Sequence, residues 1–171
     1  MKGYVQVYTG EGKGKTTAAF GLALRAAGAG MRVFIAQFVK CLEYSELNAL
    51  KRFDDLIELK QYGRGCFIFE KPEKDDITAA QKGLEELKHV ISSGEYHVVI
   101  LDEVNIATHY NLLSVEDLLE LIRIKPEHVE IVITGRYADE KIIDRADLVT
   151  EMKEIKHYYS KGVEARKGIE K

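Results

Sequence analysis

Near the start of the chain, a run of glycines, lysines and threonines lies between a short apolar segment and an alanine-rich one. It reads Gly10, Glu11, Gly12, Lys13, Gly14, Lys15, Thr16 and Thr17. Glycines let the backbone curl so that several N–H groups point at one anion, and the following helix adds its positive end. Lys15 supplies a mobile positive charge, and a hydroxyl of Thr16 or Thr17 can hold Mg²⁺. The pattern predicts a loop that binds the phosphates of a nucleotide.

The spacing of this loop departs from the usual Gly-x-x-x-x-Gly-Lys-Ser/Thr pattern. That pattern would place its first glycine at position 9, where this chain has Thr9. If Gly10 begins the loop, the loop is one residue tighter than the standard form. A chance run of glycine and lysine is the alternative, but the apolar segment before the loop and the helical pattern after it argue against chance. The loop predicts nucleotide binding without specifying the reaction.

Two carboxylates, Asp102 and Glu103, directly follow an apolar run that ends at Leu101. Carboxylates at the end of a buried strand, across a sheet from a phosphate loop, suit the Mg²⁺ that accompanies a nucleotide. One can bind the metal directly or through water, and the other can do the same or polarise a water. The alternative is a helix N-cap followed by a solvated acid. The phosphate loop favours the metal site.

Three basic residues are candidates for contacts with the nucleotide. Arg25 lies two to three turns beyond Lys15 in the predicted helix, and a solvated helix charge is its equal alternative. Arg136 follows Thr134 and a glycine at the end of a strand, where it could reach phosphate or ribose or simply cap a loop. Lys40 ends another strand region and points toward the same edge, with a solvated lysine as its alternative.

The chain has no grouping of residues that predicts a protein nucleophile or a zinc-type site. The five histidines follow no metal-ligand spacing, and no Ser-His-Asp or Cys-His arrangement stands out. Cys41 and Cys66 are expected to be reduced thiols of a cytoplasmic protein. These observations favour an attacking group that is not part of the protein.

Strand-like and helix-like segments alternate along the chain and must position these residues. Short runs that are apolar on both faces predict strands at 4–8, 33–36, 97–101 and 130–134. The alanine-rich segment 16–29 predicts the helix after the phosphate loop. The alternation predicts an α/β fold with a doubly wound, mostly parallel sheet in three layers, α/β/α, of the P-loop NTPase (RecA-like) kind. Ligands of such sheets collect at the carboxyl ends of the strands.

Capping signals set the limits of two further helices. An apolar pattern with helical spacing follows Asp75 or Asp76, either of which is a predicted N-cap, and it stops at Gly94. Ser114 with Asp117 resembles a capping box for a helix that ends before the next proline.

Composition places the chain among soluble globular proteins of one domain. It has 171 residues and a formal net charge of −3, which provides no general attraction to nucleic acid or to anionic lipid. No apolar run approaches the roughly 20 residues that cross a bilayer, and the first predicted strand begins too early for a signal peptide. We therefore expect a single nucleotide-binding domain over 1–171, with no membrane and no nucleic-acid partner. The polar stretch 154–171 is expected to be a C-terminal tail that packs on or near the site.

Taken as a set, these motifs resemble the ATP:corrinoid adenosyltransferases of the single-domain, phosphate-loop type. The matching segments cover nearly the whole chain, in order: 9–21, 25–30, 37–40, 101–103, 133–136, 146–152, 156–157, 162–165 and 168–170. The resemblance implies transfer of the 5′-deoxyadenosyl group from ATP to cobalt(I) of a corrinoid, with release of triphosphate. Cobalt(I) is itself a strong nucleophile, which agrees with the lack of one in the chain.

The resemblance also implies roles for the residues at the phosphate loop. In this family ATP binds with its phosphates reversed relative to most phosphate-loop enzymes, so that the ribose 5′ carbon faces the corrinoid. Lys15 and Glu103 become catalytic residues, together with Phe69 of a later aromatic loop. Thr16, Asp102 and Glu103 become the ligands of Mg²⁺, or of Mn²⁺ in its place, and Arg25 becomes a phosphate contact. The 10–17 loop, Lys40 and Arg136 complete the predicted ATP site.

An aromatic, glycine-hinged loop at 61–69 is the predicted corrinoid contact. Matched to the family, Phe67 and Phe69 line the corrinoid face, and Phe69 stands where the best-known members have tryptophan. Their implied role is an apolar wedge that displaces the lower ligand of cobalt(II), so that a reduced flavin on a transient reductase can reduce it. A simple core anchor is the alternative. Well-known members also carry an N-terminal helical extension. Without it, the corrinoid site would be more open, or it would be closed by the tail or by the second subunit of a homodimer.

Two other functions fit the phosphate loop. A hydrolysing ATPase or switch would use Glu103 to activate water and Arg136 to sense the γ-phosphate, and a regulatory module would bind the nucleotide without turnover. The phosphate product separates the three: corrinoid-dependent triphosphate, corrinoid-independent ADP and phosphate, or neither.

Overall fold

A computed structural model describes residues 1–40, 45–63 and 72–170 of the chain. Its centre is a six-stranded sheet in the order β3-β2-β4-β5-β1-β6, in which all five neighbouring pairs of these strands are parallel. The strands are β1 (Val5–Thr9), β2 (Val33–Phe38), β3 (Ile57–Tyr62), β4 (Val98–Asp102), β5 (Glu130–Thr134) and β6 (Leu148–Glu151). The predicted α/β fold with a doubly wound parallel sheet is confirmed.

Helices lie on both faces of this sheet. They are α1 (Lys15–Gly28), α2 (Ser45–Leu50), α3 (Lys74–Ser93), α4 (Val104–His109), α5 (Val115–Ile124) and α6 (Glu140–Arg145), with 3₁₀ turns at Lys51–Phe53 and Tyr158–Lys161. None of the described helices is both long enough and apolar enough to cross a bilayer.

Alternating side chains of the central strands build one apolar core on each face. In β2, Phe34 and Phe38 face the core that contains α3, α4 and α5, whereas Val33 and Ile35 face the core that contains α1. All residues of β2 and β4 are buried, as expected for strands covered on both sides. The three-layer arrangement follows from this two-sided burial, and it fixes the strand ends on which the site is built.

The structure shifts several predicted boundaries and corrects one cap. The N-cap of α3 is Glu73, not Asp75 or Asp76, because the side chains of Glu73 and Asp76 form a reciprocal capping box that places both aspartates inside the helix. Strand β4 begins one residue later than predicted and includes Asp102. The predicted cap at Gly94, with φ of 66°, and the capping box of Ser114 and Asp117 are confirmed.

Strands β3 and β6, which the sequence did not predict, form the two edges of the sheet. The sequence of β3, Ile-Glu-Leu-Lys-Gln-Tyr, is half polar, and all four residues of β6 are exposed. Edge strands are only partly covered by the rest of the protein, so they need not have the continuous apolar run by which the central strands were predicted.

Candidate active site

The phosphate loop connects β1 to α1 at the carboxyl edge of the sheet and is braced by the segment after β6. Gly10 and Gly14 have φ of 94° and 120°, a region that favours glycine. A Cβ on Gly10 would lie 2.5 Å from the carbonyl oxygen of Met152. The N–H of Gly12 donates to that same oxygen at 2.7 Å. The glycines are therefore required both for the loop conformation and for the close approach of Met152.

Lys15 closes the loop from inside. Its ammonium donates to the carbonyls of Gly10 and Gly12, at 2.6 and 2.7 Å, and the residue is only 7% exposed. Burial lowers the pKa of Lys15, and the negative charge of Glu103 partly opposes that effect. A phosphate in the loop would supply the counter-charge that two neutral carbonyls lack.

Asp102 is fully buried at the end of β4, and its two oxygens have four partners. Oδ1 accepts from the hydroxyls of Thr16, at 2.9 Å, and Thr134, at 2.8 Å. Oδ2 accepts from Nε2 of Gln37 at 2.9 Å and from Nζ of Lys40 at 3.0 Å. These partners come from α1, β5 and the end of β2. Asp102 thus joins the first turn of α1 to the strand ends and holds the Thr16 hydroxyl in place.

Glu103 is more accessible and less well satisfied than Asp102. Its backbone adopts a φ of 59°, and its N–H donates to the Thr134 hydroxyl at 3.0 Å. The carboxylate is 21% exposed, and the Lys40 ammonium lies 3.8 Å from its Oε1. Burial, with the neighbouring charge of Asp102 as the next cause, raises the pKa of Glu103. A further cation at this position would relieve both effects.

The predicted metal ligands form an oxygen-lined position that already accommodates a cation. Thr16 Oγ1, Asp102 Oδ2 and Glu103 Oε1 lie 3.0, 3.0 and 3.8 Å from the Lys40 ammonium. Hydroxyl and carboxylate oxygens are the donors that Mg²⁺ prefers. The described residues therefore fit Mg²⁺ in both chemistry and placement.

Arg136 and Glu11 form an ion pair above the loop. Gly135, with φ of 129°, turns the chain after β5. The guanidinium of Arg136 lies 3.2 Å from Glu11 Oε2 and also donates to the Glu11 carbonyl at 3.3 Å. Both side chains are about half exposed. The pair places Arg136 next to the loop that it was predicted to join.

The C-terminal residues reach the loop through Lys13. Its ammonium contacts the Tyr158 hydroxyl at 3.3 Å, the Ile169 carbonyl at 3.1 Å and Glu170 Oε1 at 3.0 Å. Tyr158 also donates to Glu170, and Arg166 pairs with Glu170 at 3.1 Å. These donors, Arg166 foremost, hold the pKa of Glu170 well below its usual range.

Arg25 stands apart from the other predicted site residues. It lies exposed in the last turn of α1, ten residues after Lys15, which corresponds to ~15 Å along the helix axis. Thr17 is exposed in the first turn of the same helix. The structure brings the loop, Lys40, Asp102, Glu103 and Arg136 together but does not bring Arg25 to them.

Two predicted residues, Phe67 and Phe69, lie outside the described residues, as do Cys41 and Cys66. The described chain approaches that region at Gly63, directly after β3. A Cβ on Gly63 would lie 2.9 Å from the Lys40 carbonyl oxygen. The chain therefore leaves β3 in contact with the backbone of a site residue.

Sequence reasoning did not assign roles to three polar residues that the structure places at the site. Gln37 and Thr134 hold Asp102, and Asn105 donates to the Gly135 carbonyl at 3.3 Å. All three are buried, and Oδ1 of Asn105 has no hydrogen-bond partner among the described residues. A polar residue within an apolar strand, as in Val-Phe-Ile-Ala-Gln-Phe of β2, was the available signal for Gln37.

A family model for ATP:corrinoid adenosyltransferase BtuR/CobO/CobP matches residues 1–170 of the chain. Among curated proteins, a corrinoid adenosyltransferase of Sinorhizobium sp is 38% identical over 173 aligned residues, which cover 99% of this chain and 80% of that protein. The Corrinoid adenosyltransferase CobA of Salmonella typhimurium is 35% identical, over 99% of this chain and 86% of its own length. A corrinoid adenosyltransferase of Pseudomonas aeruginosa is 34% identical, over 99% and 84%.

The range that the family model matches includes the phosphate loop, Asp102, Glu103 and the C-terminal residues up to 170. The expected activity is therefore confirmed, and a hydrolysing ATPase is not favoured. The chain belongs to the ATP:corrinoid adenosyltransferase family and is an enzyme that transfers the adenosyl group of ATP to a corrinoid.

Proposed function

We propose that the cluster around Asp102 is the catalytic centre of adenosyl transfer and that it holds the triphosphate of ATP as the leaving group. The observation that carries this proposal is the buried Asp102, which fixes the Thr16 hydroxyl of the phosphate loop at 2.9 Å. Through this contact, phosphate loop and carboxylates form one rigid unit. Such preorganisation stabilises charge that develops in a transition state.

The residues of the phosphate loop bind the phosphates in this proposal. Lys15 moves from the carbonyls of Gly10 and Gly12 to phosphate oxygens, which offer a full counter-charge. Lys13 and Arg136 lie on the same loop or against it and stabilise negative charge at its rim. Arg25, which lies at the far end of α1, would contact ATP only at a part remote from Lys15.

Thr16, Asp102 and Glu103 would hold Mg²⁺, which neutralises phosphate charge when bound. Asp102 would orient the Thr16 hydroxyl through Oδ1 and would face the ion with Oδ2, which accepts from Gln37 and Lys40. Glu103, with its more accessible carboxylate, would supply a further oxygen.

The transfer itself forms one bond and breaks one. The electron pair of cobalt(I) forms a bond to the ribose 5′ carbon, and the bond from that carbon to the phosphate oxygen breaks. Its electrons leave with the triphosphate, so the chain needs no nucleophile of its own. The tasks of the protein are to align the two substrates and to stabilise the leaving charge.

We further propose that Phe67 and Phe69 face the corrinoid and that a reduced flavin carried by a separate reductase supplies the electron to cobalt(II). This part rests on the family resemblance and on the position of Gly63, where the chain passes the Lys40 backbone at the carboxyl edge. The same proposal includes two further points: the protein forms a homodimer, and the tail from 154 to 171 forms a wall of the site.

The test follows the products of ATP with cobalt(I) corrinoid present and absent. Corrinoid-dependent triphosphate in amounts equal to the adenosylated corrinoid is the expected result. ADP and phosphate formed without corrinoid would contradict the proposal. For the aromatic pair, Phe69→Ala should impair adenosylation that starts from cobalt(II) while sparing transfer to pre-reduced cobalt(I), and an equal loss in both assays would refute the wedge.

A further inference from the structure

Lys40 lies where the proposed metal ion should lie. Its ammonium is 3.0 Å from Thr16 Oγ1, 3.0 Å from Asp102 Oδ2 and 3.8 Å from Glu103 Oε1. These are the three groups that the proposed function assigns to Mg²⁺. An ammonium and a divalent cation cannot share one position among three oxygens, because both the volume and the charge exclude it. The two cations are therefore alternative occupants.

We propose that the Lys40 ammonium competes with the divalent cation for the same position. In the free enzyme the ammonium neutralises Asp102 and Glu103, and the metal displaces it when it binds together with ATP. This inference rests on the proposed function, since it takes the metal site from there. It assigns Lys40 a role distinct from a simple phosphate contact. Lys40 sets the affinity for the metal and prevents its binding without the nucleotide.

The backbone around Lys40 is held, so the exchange takes place in the side chain. Val39 adopts a φ of 58°, a conformation that is unfavourable for a β-branched residue and persists only where its surroundings enforce it. Gly63 packs against the Lys40 main chain so closely that a Cβ would lie 2.9 Å from its carbonyl oxygen and 3.0 Å from its nitrogen. A lysine has a four-carbon flexible stem, so rotation about its side-chain bonds is sufficient to move the ammonium.

The charges at the site explain why the displacement needs ATP. Without Lys40, the fully buried carboxylate of Asp102 would lose the cation with which it pairs, and the carboxylate of Glu103 would lose the same neighbour. The ammonium offsets their negative charges with a charge of one. A metal that arrives with phosphate oxygens brings a charge of two together with part of its own ligand set, and the phosphates provide new partners for the displaced ammonium.

The test measures how tightly the protein–ATP complex binds Mn²⁺ in the absence of corrinoid, from the electron paramagnetic resonance signal of free Mn²⁺. Lys40→Met should tighten Mn²⁺ binding about tenfold or more, since the metal no longer has to break a charge-assisted hydrogen bond. Lys40→Gln keeps an N–H donor for Asp102 and should also tighten binding, which covers the case in which Lys40→Met does not fold. Lys88→Met, which removes an exposed lysine paired with Glu85 on α3, is the matched control and should leave Mn²⁺ binding unchanged.

A Mn²⁺ affinity that is unchanged or weaker in both Lys40 variants would overturn the inference. Glu103→Gln, measured alone and combined with Lys40→Met, separates this failure from a failure of the proposed function. If Glu103→Gln weakens Mn²⁺ binding but the Lys40 variants do not strengthen it, the metal site stands and the competition is refuted. If Glu103→Gln has no effect in either background, the metal site itself is refuted, and the inference with it.

Discussion

Two lysines, one at the carboxyl ends of the strands and the other at their amino ends, make the same kind of contact: each ammonium donates to two backbone carbonyls. Lys15, at the carboxyl edge, donates to the two loop carbonyls at 2.6 and 2.7 Å. Lys125, between α5 and β5 at the amino edge, donates to the carbonyls of Gly3 and Pro126 at 3.0 and 3.2 Å. Burial is the main cause that lowers the pKa of each. Local chemistry alone would therefore not tell a catalytic lysine from a structural one.

The difference lies in the backbone that holds the accepting carbonyls. Lys125 joins the start of β1 to the turn before β5, where Gly3 N also donates to the Glu127 carbonyl at 2.8 Å. Lys15 bonds to a loop whose glycines at 10 and 14 have positive φ. Backbone N–H groups in such a loop are arranged for an anion. We therefore expect Lys125 to keep its partners and Lys15 to exchange its carbonyl partners for phosphate oxygens.

Two glutamates repeat the contrast on neighbouring strands. Glu130, at the start of β5, accepts from the Tyr4 N–H and from Nε2 of Gln6, both at 2.6 Å. Glu103, just after β4, has a left-handed backbone and a raised pKa, and the Lys40 ammonium lies 3.8 Å from its carboxylate. The carboxyl edge thus concentrates strain and imperfectly paired charge, as functional sites do, while the amino edge is well satisfied.

The largest expected effect separates the two lysines by activity. Lys15→Met should reduce kcat/KM for transfer to pre-reduced cobalt(I) corrinoid by about 10²–10³, the loss typical of removing one preorganised group that stabilises developing charge. Lys125→Met, which removes an ammonium from the other edge, should leave transfer within about twofold of the unmodified enzyme. Comparable losses in both variants would mean that the lysines act through stability and not through the leaving triphosphate.

The second prediction separates the two glutamates by stability. Glu103→Gln should raise the free energy of unfolding by about 1 kcal/mol, because it removes a partly buried charge that faces Asp102, while it lowers transfer by about tenfold or more. Glu130→Gln should lower the free energy of unfolding by about 1 kcal/mol, because an amide replaces one of two well-placed acceptors, and should not change transfer. Urea denaturation followed by circular dichroism measures both. A loss of stability in Glu103→Gln would contradict the assignment of imperfectly paired charge to the carboxyl edge.

The sequence was sufficient for the elements whose signals are local. The phosphate loop, the apolar central strands, the Gly94 cap and the Ser114–Asp117 box depend on residues close to each other in the chain. Their physical causes act over a few residues, through backbone conformation, capping or continuous burial, so a single sequence reveals them.

The partners of Asp102 could not be predicted in the same way, because they depend on strand register. Gln37 lies opposite Asp102 in the pairing of β2 with β4, and Thr134 follows from the pairing of β4 with β5. A shift of one residue would turn either side chain to the other face of the sheet. The position of the Lys40 ammonium among Thr16, Asp102 and Glu103, the proposed metal ligands, is harder to predict from sequence, because it also depends on a side-chain conformation.

The smallest expected effect concerns how stability depends on pH. Because burial lowers the pKa of Lys125, the folded protein releases this proton more readily than the unfolded chain does. Between the two pKa values the unfolded chain binds more protons, so the contribution of Lys125 to stability increases as pH rises toward the ordinary lysine pKa of about 10.4. Partial exposure screens the charge, so the gain is a few tenths of a kcal/mol. It appears as the difference in free energy of unfolding between the unmodified enzyme and Lys125→Met.

Lys15 should make a contribution of the same sign, because burial also lowers its pKa. MgATP should separate the two lysines, because phosphate oxygens favour the charged form of Lys15 and leave Lys125 unaffected. Each lysine is expected to contribute an increase in the free energy of unfolding as pH rises. With MgATP, the contribution of Lys15, measured as the difference between the unmodified enzyme and Lys15→Met, should vanish or reverse in sign. The contribution of Lys125, measured in the same way with Lys125→Met, should persist. Denaturation curves for both variants at several pH values, with and without MgATP, measure this. If MgATP left the Lys15 difference unchanged, Lys15 would not be the residue that meets the phosphates.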